Sequence, residues 1–134
     1  TFKSLNGTTS RVEKVDNSIA DLDIGSFRNV VFDGNTFTGI EKVTQNPVTV
    51  SFDQPTEAAD WMVDVGPWLP FDGNARDVTS VVAEGAVTNS ANTSVFGVPF
   101  VTVETGASQD QITLTWPEPV KGRVNVTARV DKPF

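Results

Sequence analysis

Apolar and polar residues alternate along several stretches of this chain. Successive side chains of an extended strand point to opposite faces, so this pattern predicts strands with one buried face. The apolar positions that share a face are Val48, Val50 and Phe52; Trp61, Val63 and Val65; Ile112, Leu114 and Trp116; and Val124, Val126, Ala128 and Val130. No stretch concentrates the Ala, Leu, Glu and Lys that favour helices, and we therefore predict strands throughout.

Turn-forming residues separate these stretches at intervals of roughly ten residues. The turn signals are Asn46-Pro47, Gly66-Pro67, Asp72-Gly73, Gly85, Gly97 with Pro99, Gly106, Pro117-Glu118-Pro119 and Lys121-Gly122. Short strands with regular turns are typical of two-layered β folds. The pattern predicts an all-β protein with a single β-sandwich, either immunoglobulin-like or jelly-roll.

Residues 1–45 alternate much less. We predict that they form an extended N-terminal arm with a short alternating piece at Leu22 and Ile24 and a hairpin around Asp33-Gly34. Residues 46–134 are predicted to form the sandwich module, as one folding unit. Two placements of the arm are open, because it can fold back on its own sandwich or lie on a neighbouring subunit.

Spaced apolar and basic residues of the arm make it the predicted partner-binding segment. Apolar anchors bury surface, and basic residues on an acidic protein would set the register against an acidic neighbour. The predicted partner-binding residues are Phe2, Lys3, Leu5, Arg11, Val12, Lys14 and Val15.

Composition removes several classes of function. A chain of 134 residues suits one domain that folds without a covalent staple. Cysteine and histidine are absent, which excludes disulfides, thiolate nucleophiles, Cys/His zinc sites and a histidine general base. The net charge is -7 and the basic residues are scattered, which argues against nucleic acid as a partner. No apolar run approaches the roughly 18 residues of a membrane span, and we expect no membrane partner.

The carboxylates form no predicted catalytic pair. Asp60 and Asp64 lie on the polar side of an alternating strand, whereas an acid and a base must converge in a cleft. We predict no catalytic residue, no cofactor and no metal site, and hence a non-enzymatic protein.

The tryptophans are predicted to hold the fold. Trp61 and Trp116 lie on the inward side of their strands, and the chain has no tyrosine, the aromatic residue that combines ring contact with a hydroxyl. Trp68 follows Gly66-Pro67 and either caps the end of the sandwich or protrudes from a loop.

The stretch Asn29 to Gly39 resembles the calcium-binding loop of discoidin-like carbohydrate-binding modules. Asp33, Thr38 and the turn around Gly34 offer the oxygen donors that calcium takes. A type I′ hairpin turn explains Asp33-Gly34 equally well. The resemblance implies an alternative function, a carbohydrate-binding module of a secreted polysaccharide-degrading enzyme.

A longer stretch, roughly residues 48 to 131, resembles an immunoglobulin-like module of tailed-phage structural proteins. The residues that carry the resemblance are Trp61, Asp64, Trp68, Leu69, Gly73, the Val78-Thr79-Ser80 strand, Gly122 and the strand from Val124 to Val130. It implies a virion structural protein made in the host cytoplasm, either a head decoration or cement protein on the capsid exterior or a tail or neck component made from the same module. The implied partners are the major capsid protein and further copies of the chain, as a homotrimer.

Overall fold

The computed structural model describes residues 1–13, 18, 23 and 26–133. Its strands are β1 (Phe2–Lys3), β2 (Phe37–Thr38), β3 (Val48–Asp64), β4 (Asp77–Ala83), β5 (Phe100–Thr105) and β6 (Gln111–Arg129), with a short 3-10 helix at Pro70–Asp72. Within the described ranges no helix is long and apolar enough to cross a membrane. The predicted all-β fold is confirmed.

β6 is the central strand of a four-stranded antiparallel sheet. β3 pairs with β6 along most of both strands, in a register that sets Val48 opposite Ala128. On the other edge of β6, β4 pairs with residues 124–129 and β5 pairs with residues 111–115. The sheet therefore has two halves. β3, β6 and β4 form one half, and β3, β6 and β5 form the other.

Two predicted turns lie inside β6. The prediction that Pro117-Glu118-Pro119 and Lys121-Gly122 separate two strands is wrong, because the strand continues through both. Between Val120 and Thr115, β6 contains more residues than the facing part of β3, so the register shifts there. The prolines lie in this irregular segment, where the ladder does not require their missing N–H groups.

Both halves of the sheet contribute to one hydrophobic core, which makes the fold a β-sandwich. The fully or almost fully buried members include residues from β3 and β6 on both sides of the register shift, together with Leu69 and Ala75 from the connection between β3 and β4. The predicted inward positions are confirmed for Trp61, Val63, Val65, Ile112, Leu114, Trp116, Val124, Val126, Ala128 and Val130, all of which are buried.

The N-terminal region contains a small sheet of its own. β1 and β2 are parallel, and Phe2 lies opposite Phe37 with the ring centroids 5.4 Å apart. The predicted hairpin around Asp33-Gly34 is wrong. Phe32 on one side of this turn bridges to Asn46, whereas Phe37 on the other side pairs with β1, so the flanking segments do not pair with each other. The predicted piece at residues 22 and 24 lies outside the described residues.

A buried polar cluster joins the N-terminal region to the sandwich. Asn46 Nδ2 donates hydrogen bonds to the carbonyl of Val30 (2.6 Å) and to Asp131 Oδ1 (3.0 Å), and Asn46 Oδ1 accepts one from Val130 N (2.9 Å). Asp131 also accepts from Val30 N and from Arg129 Nε, each at 3.0 Å. Burial favours a raised pKa for Asp131, but the donors from Arg129, Asn46 and Val30 outweigh it and lower the pKa below its ordinary 3.8. The cluster holds the chain near residue 30 against the start of β3 and the end of β6.

Candidate functional site

Most of the predicted partner-binding residues that the structure describes lie around one groove. The groove has a volume of about 310 Å³ and is lined by Phe2, Lys3, Ser4, Thr9, Arg11, Val12 and Ile40. Leu5 is 85% exposed and is not among the lining residues. Lys14 and Val15 lie outside the described residues. The structure therefore brings four of the predicted residues together and leaves Leu5 apart.

Arg11 connects the N-terminal segment to the sandwich. Its guanidinium donates to both carboxylate oxygens of Asp72 at 2.5 Å, and its Nε lies 3.4 Å from Glu13 Oε1. The hydrogen bond to Asp72 raises the pKa of Arg11 and lowers the pKa of the Asp72 carboxyl. Glu13 is buried, with Lys42 Nζ at 3.1 Å and a hydrogen bond from the Thr44 hydroxyl at 2.9 Å. An extended arm is not confirmed, because the described residues up to Glu13 contact their own chain.

Two of the three tryptophans, Trp61 and Trp116, offer no exposed platform for a sugar or a base. Trp61 is 0% exposed and Trp116 is 4% exposed. Trp68 is partly buried against the core, while its neighbour Leu69 is fully buried. The prediction that Trp61 and Trp116 pack in the core is confirmed.

Three exposed apolar side chains that lie close together in the sequence form what we call the apolar ridge: Phe96, Val98 and Phe100. Their exposed fractions are 98%, 87% and 73%. They recur at every second position, and in an extended segment such positions share one side. A large apolar side chain left almost completely in water is unfavourable, and a cluster of them marks a surface for binding another molecule.

The apolar ridge leads into an edge strand. Phe100 is the first residue of β5, which pairs only with β6 among the described strands. On that side Phe100 lies opposite Thr115, whose hydroxyl donates to Asp60 at 2.7 Å. Edge strands usually carry charges that prevent pairing with other chains, but the first charged residue of β5 is Glu104, near its end. The ridge and the first four residues of β5 therefore form an edge without charged side chains.

Sequence reasoning missed this surface. Gly97 and Pro99 predict a turn in this stretch, and a turn signal does not indicate whether the apolar residues around it are exposed. A signal was present, because residues 85–103 contain no charged side chain although the chain has 10 basic and 17 acidic residues. A long uncharged segment in an acidic protein is a sign of contact with another surface.

A cavity of about 240 Å³ lies beside the apolar ridge. Phe96 and Gly97 belong to its wall, as do residues 85–87 after β4, and Trp116 contributes from β6. The volume is below the roughly 300 to 1,000 Å³ of sites for drug-sized ligands. The cavity has room for a side chain rather than for an oligosaccharide.

The two core indoles differ in their hydrogen bonds. Trp61 Nε1 donates to the carbonyls of Ala58 (3.0 Å) and Val120 (3.2 Å). Trp116 Nε1 is buried and has no hydrogen-bond partner among the described residues. A buried N–H without an acceptor is unfavourable by about 1 to 3 kcal/mol, and Trp116 carries such a donor in the core.

The Asp33 loop does not gather ligands for a metal. In the part of the chain that the structure describes, no group of three or more acidic side chains could hold a metal ion. Asp33 itself is exposed, and Gly34 adopts a left-handed conformation with φ 64°. The loop has the backbone of a tight turn, with one carboxylate.

No protein-family model, curated protein or solved structure matches this chain. The fold and the candidate site together define the class of protein as an all-β sandwich with an exposed apolar edge.

Proposed function

We propose that this protein is a non-enzymatic structural protein that docks on another protein through the apolar ridge. The particular function proposed is that of a tailed-phage head decoration or cement protein, bound to the major capsid protein on the capsid exterior as a homotrimer. The observation that carries the proposal is the almost complete exposure of Phe96 and Val98 on an uncharged segment. The phage assignment rests in addition on the resemblance at Trp61, Trp68 and Leu69.

The mechanism would be bridging of neighbouring capsid subunits. Burying one large apolar side chain contributes about 1.5 to 3 kcal/mol, so three ridge residues contribute roughly 5 to 9 kcal/mol. Association opposes this with a free-energy cost of about 4 to 15 kcal/mol, because the two molecules lose translational and rotational freedom. One ridge alone therefore binds weakly, and a trimer that engages three sites at once gains the affinity that a cement protein needs.

Co-sedimentation tests the proposal. The purified protein is mixed with empty shells assembled from the major capsid protein of the same genome, and the bound fraction is measured. We expect the double variant Phe96→Ser/Phe100→Ser to lose binding and the control Val31→Ser to keep it, since Val31 is 62% exposed in the N-terminal region, next to the bridge between Phe32 and Asn46. Equal binding by wild type and the double variant contradicts docking through the ridge, and absence of binding by wild type contradicts the capsid function.

A further inference from the structure

We propose that Asn6 and Gly7 form a self-modification site, at which the Asn6 side chain loses its amide and becomes a mixture of aspartate and isoaspartate. Water is the only co-reactant. The site lies in the exposed loop between β1 and Thr9, away from the apolar ridge. The inference is independent of the proposed docking on another protein, because it concerns the chemistry of this loop alone.

The reaction joins the backbone of one residue to the side chain of the residue before it. Gly7 N attacks Asn6 Cγ, so that an N–Cγ bond forms and the Cγ–Nδ2 bond breaks. The amide nitrogen leaves as ammonia with the proton of the Gly7 N–H, and the product is a five-membered cyclic imide. Water then opens the imide. Opening at Cγ gives aspartate, and opening at the backbone carbonyl gives isoaspartate, whose main chain runs through Cγ.

Glycine is the residue that favours this ring closure most. It has no Cβ to hinder the attack, and its backbone adopts the widest range of conformations. Asn6-Gly7 is the only Asn-Gly pair of the sequence. The two Asp-Gly pairs can form the same imide with loss of water, but an ionised carboxylate at neutral pH is a much poorer reactant than a neutral amide. The sequence therefore ranks Asn6 first.

The fold protects one of the two Asp-Gly pairs. The carboxylate of Asp72 is bound by both terminal nitrogens of Arg11 at 2.5 Å. The nitrogen that would attack it, Gly73 N, is buried and donates a hydrogen bond to the carbonyl of Pro70 at 3.1 Å. Ring closure at Asp72 requires both groups to leave their partners, so this pair shows what protection looks like in this protein.

None of these restraints acts on Asn6. Among the described residues, neither the Asn6 amide nor Gly7 N has a hydrogen-bond partner, and both residues are exposed. Gly7 has φ 83°, and no heavy atom lies within 4 Å of the position that a Cβ would take. The side-chain amide of Asn6 is therefore free to turn toward Gly7 N without breaking a contact.

The reaction changes a loop that flanks the groove of the N-terminal region. Ser4 N donates to the carbonyl of Thr38 and Thr9 N to that of Gly39, each at 2.9 Å, so the loop is held at both ends. Ser4 and Thr9 also line the groove of about 310 Å³. The product places a new carboxylate beside this groove and makes the net charge one unit more negative than -7. Isoaspartate in addition lengthens the main chain by one carbon between two fixed points.

Peptide mapping by mass spectrometry tests the site. The folded chain and the chain unfolded in guanidinium chloride are incubated in parallel at neutral pH in water enriched in ¹⁸O. Trypsin then releases residues 4–11 as one peptide. We expect Asn6 to convert in both samples, with uptake of one heavy oxygen, at rates within about tenfold of each other, or about 1.4 kcal/mol in the barrier. Asn6→Gln, which would require a larger ring, should not convert.

Asn92 is the matched control within the same molecule. It is also exposed and has φ 57°, but Thr93 follows it, and Thr93 N donates to Asn89 Oδ1 at 3.1 Å. The branched side chain of Thr93 hinders the attack as well, and we expect conversion of Asn92 at roughly a tenth of the Asn6 rate or less. A folded chain that keeps its Asn6 amide over weeks overturns the proposal, as does equal conversion at Asn6 and Asn92.

The two Asp-Gly pairs test whether the fold controls this chemistry. Incubation at mildly acidic pH, where carboxyl groups are partly protonated, allows aspartate to form the imide. We expect isoaspartate at the exposed Asp33 in the folded chain, and at Asp72 only after unfolding, as detected by isoaspartate methyltransferase labelling of the separated peptides. Equal isoaspartate at Asp33 and Asp72 in the folded chain would overturn the argument that free side-chain and backbone groups select Asn6.

Discussion

The rings of Trp61 and Trp116 lie with their centroids 4.9 Å apart and their planes at 49°. Trp61 comes from β3 and Trp116 from β6, close to the register shift between these two strands. The Trp61 ring also lies 6.1 Å from that of Phe52, on the other side of the shift. These aromatic contacts connect the two halves of the sandwich at the point where the chain departs from a regular ladder.

Trp61→Ala should therefore destabilise the protein strongly. Removal of a fully buried indole leaves a cavity in the core, and we expect a loss of about 3 to 5 kcal/mol in the free energy of unfolding. Met62→Ala, on the opposite face of the same strand and 48% exposed, should lose much less. Urea denaturation of both variants measures the difference, and equal small losses would contradict the inward assignment of Trp61.

Glu13→Ala should destabilise the fold although Glu13 lies in the N-terminal segment. The substitution leaves the hydroxyl of Thr44, which is 0% exposed, without its acceptor, and we expect a loss of about 1 to 3 kcal/mol. Thermal or urea unfolding measures the loss, with the exposed neighbour Glu41→Ala as the control. The double variant Glu13→Ala/Thr44→Val should be less destabilised than the sum of its single changes. A neutral Glu13→Ala would show that the segment is not part of the folded unit.

Asp131 should make stability depend on pH at the acidic end. Its pKa is lowered in the folded state, so its carboxylate contributes stability that is complete above the ordinary value of 3.8 and is lost as the pH falls below it. We expect the difference in free energy of unfolding between wild type and Asp131→Asn to be largest near neutral pH and to shrink below 3.8. Asp33→Asn, at an exposed carboxylate, is the control. A difference that stays constant from neutral to acidic pH would exclude this role of Asp131.

Chelator treatment should leave the melting temperature unchanged. Only one carboxylate is present at the Asp33 turn, and calcium takes six to eight oxygen ligands. A scan by differential scanning fluorimetry, with EDTA and then with added calcium, checks this. A drop of several degrees in EDTA that calcium restores would favour the discoidin-like carbohydrate-binding module.

Alternation in the sequence was sufficient to predict which residues of β3 and β6 face inward. Val63, Ile112 and Val126 are buried as their positions in the pattern require, because the side-chain period of a strand follows from local backbone geometry. The absence of Cys and His likewise removed several chemistries without any knowledge of the fold.

Tertiary structure alone decided which segments pair and what the pairing leaves exposed. Phe37 pairs with Phe2 and Phe32 with Asn46, although Asp33-Gly34 between them is a good hairpin turn, because long-range partners compete with local ones and their contacts are not visible in a short window. Pro117-Glu118-Pro119 lies within a strand because the register shift removes the need for its N–H groups. Whether Phe96 is buried or exposed depends on what covers its segment, and a pattern of apolar residues is the same in both cases.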